Sequence, residues 1–144
     1  MHNESTTPTE LARELGDAKF VSLVTYRRDG SAVASAMWIA QDGPDLVVWT
    51  PADTWKVKRV RHDPRVVLVR SNRTGKVDPV EPELLGTAVV EDTPDAVSRA
   101  EQLIRRKYGF EFVLITTIEA VIARGRKPRV ALRISPQQVT SKNV

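Results

Sequence analysis

Between Leu46 and Val69 the chain reads LVVWTPADTWKVKRVRHDPRVVLV, and no other stretch constrains the fold so tightly. A β-branched, aromatic run ends at Thr50-Pro51. A short segment of helical character follows, carrying Lys56, Lys58, Arg59 and Arg61, and Asp63-Pro64 stops it before a second apolar run begins. The reading is strand, short cationic helix, strand. Cations crowded onto one short helix directly after a strand end are what a bound anion requires, and a cofactor phosphate is such an anion.

The flanking sequence fills out a mainly β domain with helices. Thr7-Pro8-Thr9-Glu10 supplies an N-cap, a proline at the first helical position and a glutamate at the third, which predicts a short helix ending near Gly16. Residues 20–26 (FVSLVTY) form a predicted strand, Arg27-Arg28-Asp29-Gly30 a hairpin turn, and residues 31–40 (SAVASAMWIA) the returning strand. Asp42-Gly43-Pro44 turns the chain into the strand that ends at Thr50. Beyond the cationic helix come a buried-type strand at 65–71, a polar loop at 72–82, and a strand at 83–91 in which Gly86 suggests a bulge. The period then changes to helical. Thr93-Pro94-Asp95 caps a helix through Tyr108, and Gly109 ends it. Residues 110–126 are read as a further helix from the spacing of Phe112, Ile115, Ile118, Val121 and Ile122. Residues 128–135 alternate as the last strand. Successive antiparallel strands of this kind close into a small barrel, because closure removes exposed edges. The expected organisation is a flexible tail over residues 1–7 and one domain over 8–144, with a helical insert at about 93–126.

Composition narrows the chemistry. A chain of 144 residues suffices for one core. Its zero cysteines exclude disulfides, thiolate metal sites and a cysteine nucleophile. With only His2 and His62 as imidazoles, no metal site is expected. The longest apolar stretches are strand-sized and the amino terminus has no apolar core, so neither a membrane span nor a signal peptide is predicted, and the expected location is cytoplasmic. The net charge of +4 points to an anionic partner without naming it.

Within the cationic helix, Asp53 or Thr54 can act as cap, leaving first-turn amides free to meet an anion. Lys56 lies in that first turn, where a cation opposes the helix dipole, so something negative is expected to compensate it. Lys56 and Arg59 share a face at i, i+3 spacing, while Val57 and Val60 point inward. The competing reading is a merely solvated charged face. Trp38 and Trp49 are read either as ring-stacking residues or as core.

The spacing of Trp49-Thr50, Lys56 and Asp63-Pro64-Arg65-Val66 resembles, without a gap, the flavin-binding stretch of the pyridoxamine 5′-phosphate oxidase-like split-barrel family. The resemblance covers residues 20 to 136. It implies a split β-barrel of the flavin-reductase type, a homodimer, and a cofactor site at the subunit interface. Carried onto this chain, it implies that Thr50 and Lys56 stand at the cofactor phosphate; Thr54, at the start of the same helix, and Lys58 and Arg59, which can supply further positive charge, are added as cofactor-binding candidates. Ring contacts fall to the strand bearing Ser35, Ala36, Met37 and Trp38, and to Trp49.

Two positions depart from the pattern. Ala34 and Trp55 stand where FMN-binding members usually carry arginines, which weakens the phosphate site for FMN. The compact length and the helical insert are more similar to the branch that uses the deazaflavin coenzyme F420, whose phosphate and oligoglutamate tail need a wider basic field. Arg73, Lys76 and Arg105 to Lys107 are candidate tail contacts. The implied activity is F420-dependent reduction of a small electron-poor organic molecule. The alternatives are an FMN enzyme of the same fold and a non-catalytic F420 carrier. Neither nucleic acid nor membrane is an expected partner, no catalytic residue is assigned, and the sequence does not reach the substrate.

Overall fold

The computed structural model describes residues 6–122 and 127–140. Most of the expected tail, His2 and the end of the predicted fourth helix at Arg126 lie outside the described residues. Helix α1 (Pro8–Asp17) is held by the anticipated capping box: the Thr7 hydroxyl accepts from the Glu10 amide and the Glu10 carboxylate accepts from the Thr7 amide. There follow β1 (Phe20–Tyr26), β2 (Ala32–Met37), β3 (Ala40–Asp42), β4 (Asp45–Pro51), α2 (Trp55–His62), β5 (Arg65–Ser71) and β6 (Glu83–Glu91). Helices α3 (Pro94–Tyr108) and α4 (Phe110–Ile122) precede β7 (Arg129–Thr140). The seven strands form one antiparallel sheet in the order β2-β1-β5-β6-β7-β4-β3.

That order contains the main departure from the sequence reading. The single strand expected over 31–40 is two strands lying at opposite edges of the sheet. Only Trp38 and Ile39 separate them, and a link of that length spans roughly 10 Å at most. The two edges must therefore come together, and the sheet rolls into a barrel. The crossover is stabilised from far along the chain. Trp38 stacks on Tyr108 at 4.4 Å between ring centroids, and the Tyr108 hydroxyl accepts from the Ile39 amide at 3.1 Å and donates to the Lys19 carbonyl at 2.8 Å. The Lys107 ammonium donates to the carbonyls of Ala18 and Ile39, both at 2.6 Å. Backbone groups that leave the ladder here find side-chain partners from α3 instead.

The last strand also runs past the expected residue 135, pairing with all of β6. The register shifts between Leu85 and Gly86, as the glycine signalled. A Cβ at Gly86 would lie 2.6 Å from the Ser135 carbonyl oxygen, so close approach of β7 requires glycine there.

Alternation along the strands sorts side chains between two cores. The barrel interior holds Val21 and Leu23 of β1, Leu46 and Val48 of β4, Val66 and Leu68 of β5, and Leu132 and Ile134 of β7, with Leu11 and Leu15 of α1 and Val57 and Val60 of α2 closing it. Outside the barrel, α3 and Phe112 of α4 cover Ala40, Val47 and Ala131, with Trp38 and Trp49 packed against them. Helices thus cover the β3-β4-β7 side. Along that side Arg133 donates to Asp42, Asp45 and Glu91, and Arg99 forks onto Asp42. This network holds the Asp42-Gly43-Pro44-Asp45 turn, where Gly43 takes φ +61°, against β7 and α3.

A candidate anion site at the cationic helix

Helix α2 is eight residues long, with Val57 and Val60 buried against the barrel and no acidic residue in its first turn. Thr54 is its N-cap by backbone conformation, but its hydroxyl does not cap; it donates to the Pro51 carbonyl at 3.1 Å. Its side chain therefore takes up none of the amides of the first turn. At the other end, Arg59, Arg61 and His62 complement the helix dipole.

Lys56 is half-buried. Burial lowers its ammonium below the ordinary lysine value, and the nearby Arg59 lowers it further. Arg59 donates through Nε to the Thr25 hydroxyl at 2.7 Å, so its guanidinium is tethered to β1. Burial, and then the neighbouring Arg27, lower Arg59 in turn. Each of these shifts means that the charged form is disfavoured by its surroundings. Lys56, Arg59 and Arg27 form no ion pair among the described residues. Arg65, Arg70, Arg99, Arg105, Arg129 and Arg133 each have at least one.

Beside this cluster, between α2 and the β1–β2 turn, lies an open cavity of about 720 Å³ lined by Tyr26, Arg27, Arg28, Asp29, Trp55, Lys58, Arg59 and His62. Asp29, the one carboxylate in that lining, accepts from the amide and hydroxyl of Ser31 and is held below the usual carboxylate range mainly by those bonds. Trp55 is 68% exposed and carries the Lys58 ammonium 4.5 Å over its ring. Arg59, repelled by Lys56 on one side and Arg27 on the other, beside a cavity of ligand size that Arg59 and Arg27 line, suits a multiply charged anion.

The structure distributes the candidate residues unevenly. Lys56 and Arg59 come together, with Thr54 at the start of the same helix and Lys58 on its exposed side. Thr50 is buried. On β2, Met37 packs into the barrel interior and Ser35 shares its side, whereas Ala34 and Ala36 face outward. Trp38 and Trp49 lie under α3 and α4: Trp38 stacks on Tyr108, and Trp49 meets Phe112 with the Arg129 guanidinium 4.1 Å over its ring. Trp49 borders a separate cavity of about 680 Å³ whose acids Glu101 and Glu119 are already paired with Arg105 and Arg129. Among the suggested tail contacts, Arg105 pairs with Glu101, Lys107 serves the crossover, and none lines the cavity beside α2. Thr25, Arg27 and Arg28 were not among the sequence candidates. The Arg-Arg pair ahead of Asp29-Gly30 was the available signal, and it reads equally well as a solvated turn.

Comparison with solved structures agrees with this architecture. A conserved hypothetical protein from Mycobacterium tuberculosis superposes with a TM-score of 0.69 at 20% identity, covering 99% of this chain and 89% of that one. An F420 reductase superposes at 0.60 with 18% identity, covering 89% and 94%. HutZ, the haem storage protein from Vibrio cholerae, superposes at 0.64 with 12% identity, covering 90% of each chain. These likenesses establish a shared fold. No curated protein matches the chain in sequence. The family model described as pyridoxamine 5′-phosphate oxidase matches residues 7–143, and the chain therefore belongs to that family.

Proposed function

We propose that this protein is an F420-dependent oxidoreductase that reduces a small electron-poor organic molecule. The observation that carries the reading is the half-buried Lys56 and Arg59, with the exposed Arg27 near Arg59, none of them in an ion pair among the described residues, next to an open cavity that Arg59 and Arg27 line. When bound, the deazaflavin supplies hydride chemistry. The chain's own contribution is to bind and orient. Lys56 and Arg59, with the first-turn amides of α2, would hold the coenzyme phosphate, and the Thr25 hydroxyl fixes the direction of the Arg59 guanidinium. Arg28 and Lys58 extend the positive field beyond the phosphate, as a carboxylate-bearing tail requires. The outward Ala34 and Ala36 of β2 leave the backbone edge open for a flat ring, and we place that face against a second copy of the chain. An F420 reductase among proteins of the same fold supports this reading.

The fit is better for F420 than for FMN, because Ala34 and Trp55 supply no charge while the surplus cations lie further out. Titration of one preparation with F420, FMN and haem, followed by fluorescence and absorbance, separates the readings. Saturable binding of F420 alone is expected. FMN retained through purification would favour the FMN enzyme. F420 binding with no oxidation of the reduced form across quinones and enones would favour a carrier. Haem binding at His62, on the same cavity wall, would remove the redox reading altogether.

A further inference from the structure

The spacing of Phe112, Ile115, Ile118, Val121 and Ile122 marks an apolar stripe on α4, which in a surface helix faces the core. In the structure only Phe112 of these five is buried, with Thr116 beside it. Behind the helix lies the cavity of about 680 Å³ that Trp49 borders, lined on the α4 side by Thr116, Glu119, Ala120 and Ile122. The apolar side is the outer one. At about 100° per residue, Phe110, Leu114 and Val121 fall within roughly 40° of one another and opposite Phe112 and Thr116. Phe110 is 77% exposed and Val121 74%, and Val113 and Ile118, on either side of them, are exposed as well. Glu111 stands within this apolar arc, where Lys19 meets its carboxylate at 3.0 Å.

The charge that brackets the helix has one sign in excess. Glu101, Glu111 and Glu119 are each met within the chain, by Arg105, Lys19 and Arg129. Arg106, near the end of α3, and Lys127, just before β7, are exposed and form no ion pair among the described residues. A surplus cation therefore stands before the apolar helix and another after it. In the sequence, Arg124 and Arg126 add to the same sign between Ile122 and Lys127, and no acid follows Glu119.

We infer that α4 lies in the surface of a membrane carrying anionic phospholipids, with Phe110, Leu114 and Val121 turned toward the acyl chains and Arg106 and Lys127 at the headgroup phosphates. Apolar area supplies the insertion, and the two cations, matched to a negatively charged leaflet, supply the attraction. Neither cation has a carboxylate to give up on binding, and both helix acids keep their partners. The helix does not cross the bilayer. Its 13 residues rise about 20 Å against a hydrocarbon core of about 30 Å, and no described helix is long and apolar enough to span one. Outward side chains reach roughly 5 Å from the helix axis, the shallow depth at which interfacial helices lie. The cavity beside α2 shares no lining residue with α3 or α4, so this contact is independent of the coenzyme reading.

The test is flotation of the full chain with vesicles of phosphatidylcholine containing about a third phosphatidylglycerol, beside vesicles of phosphatidylcholine alone. Wild type should float with the anionic vesicles, about 10-fold or more above its partition onto the uncharged ones, and high salt should release it. Phe110→Gln combined with Val121→Gln should lower that partition by about 10-fold or more, with circular dichroism and F420 affinity unchanged. Arg106→Gln combined with Lys127→Gln should lower it too and flatten its salt dependence. Should the apolar double variant misfold, Leu114→Gln probes the same stripe. Wild type left in solution, equal flotation on uncharged vesicles, or undiminished flotation of the apolar variant would each overturn the contact. So would a wild type that stays in solution as an assembly the apolar variant breaks, since protein would then cover this face.

Discussion

The chain builds two arginine clusters to opposite ends. Around Arg133, three carboxylates and Arg99 close on one another, and every charge has a partner: Asp42 is pulled down to about 2, chiefly by Arg99, and Arg133 is raised, chiefly by Asp42. Around Arg59, the neighbours are Lys56 and Arg27, and Lys56 and Arg59 are lowered rather than raised. The first cluster is complete within the chain and holds a turn in place. The second has no carboxylate partner among the described residues, and we propose that an anion from outside completes it. Residue type does not distinguish them; the sign of the shift and the presence of a carboxylate do.

The complete cluster is most vulnerable at Asp42. Asp42→Asn removes the carboxylate shared by Arg99 and Arg133 and should cost about 2–3 kcal/mol in chemical denaturation, less than a fully buried pair because Arg133 keeps two acids. Because the folded carboxyl titrates near 2 against an ordinary 3.8, its stabilisation is present above pH 4 and is lost as pH falls toward 2. The variant should lose that acid-side slope while F420 affinity stays unchanged.

Lys56→Ala should do the reverse. Coenzyme affinity is expected to fall by about 1.5–3 kcal/mol in a fluorescence titration, as for a lost charge-assisted contact. Folding stability should hold or rise, since a repulsion with Arg59 is removed. A comparable loss of stability would show that Lys56 is structural.

A third polar group sharpens the contrast, because it is complete without any carboxylate. Tyr108→Phe leaves the Ile39 amide and Lys19 carbonyl without their partner and should destabilise by about 1–2 kcal/mol on thermal or urea unfolding. The smallest effect belongs to Lys107, whose ammonium is lowered to about 8 by burial. A base held below its ordinary 10.5 makes stability rise with pH from 8 toward 10.5, and the neutral amine still has two N–H bonds for its two carbonyls. Tyr108, raised to about 12, opposes this only above pH 10. Lys107→Met should flatten the rise between pH 8 and 10.

Much of the fold could be read locally. Thr7 and Glu10 announced α1, Gly86 announced the bulge, and Thr93 and Gly109 bracketed α3, because caps and turns are short-range chemistry. The split of β2 from β3 was not legible. Residues 31–40 alternate as one strand, and what breaks them is Tyr108, some seventy residues away. At the site, Lys56 and Arg59 were legible from helical spacing. The roles of Thr25 and Arg27 were not, since their proximity to Arg59 depends on how α2 packs against the barrel.

A crystal structure of the protein with F420 decides whether α2 holds the coenzyme phosphate. The coenzyme's phosphate oxygens should lie within hydrogen-bond distance of Lys56 Nζ and the Arg59 guanidinium, with its tail running past Arg28 or Lys58. A phosphate seated elsewhere, away from Lys56 and Arg59, would rule this site out.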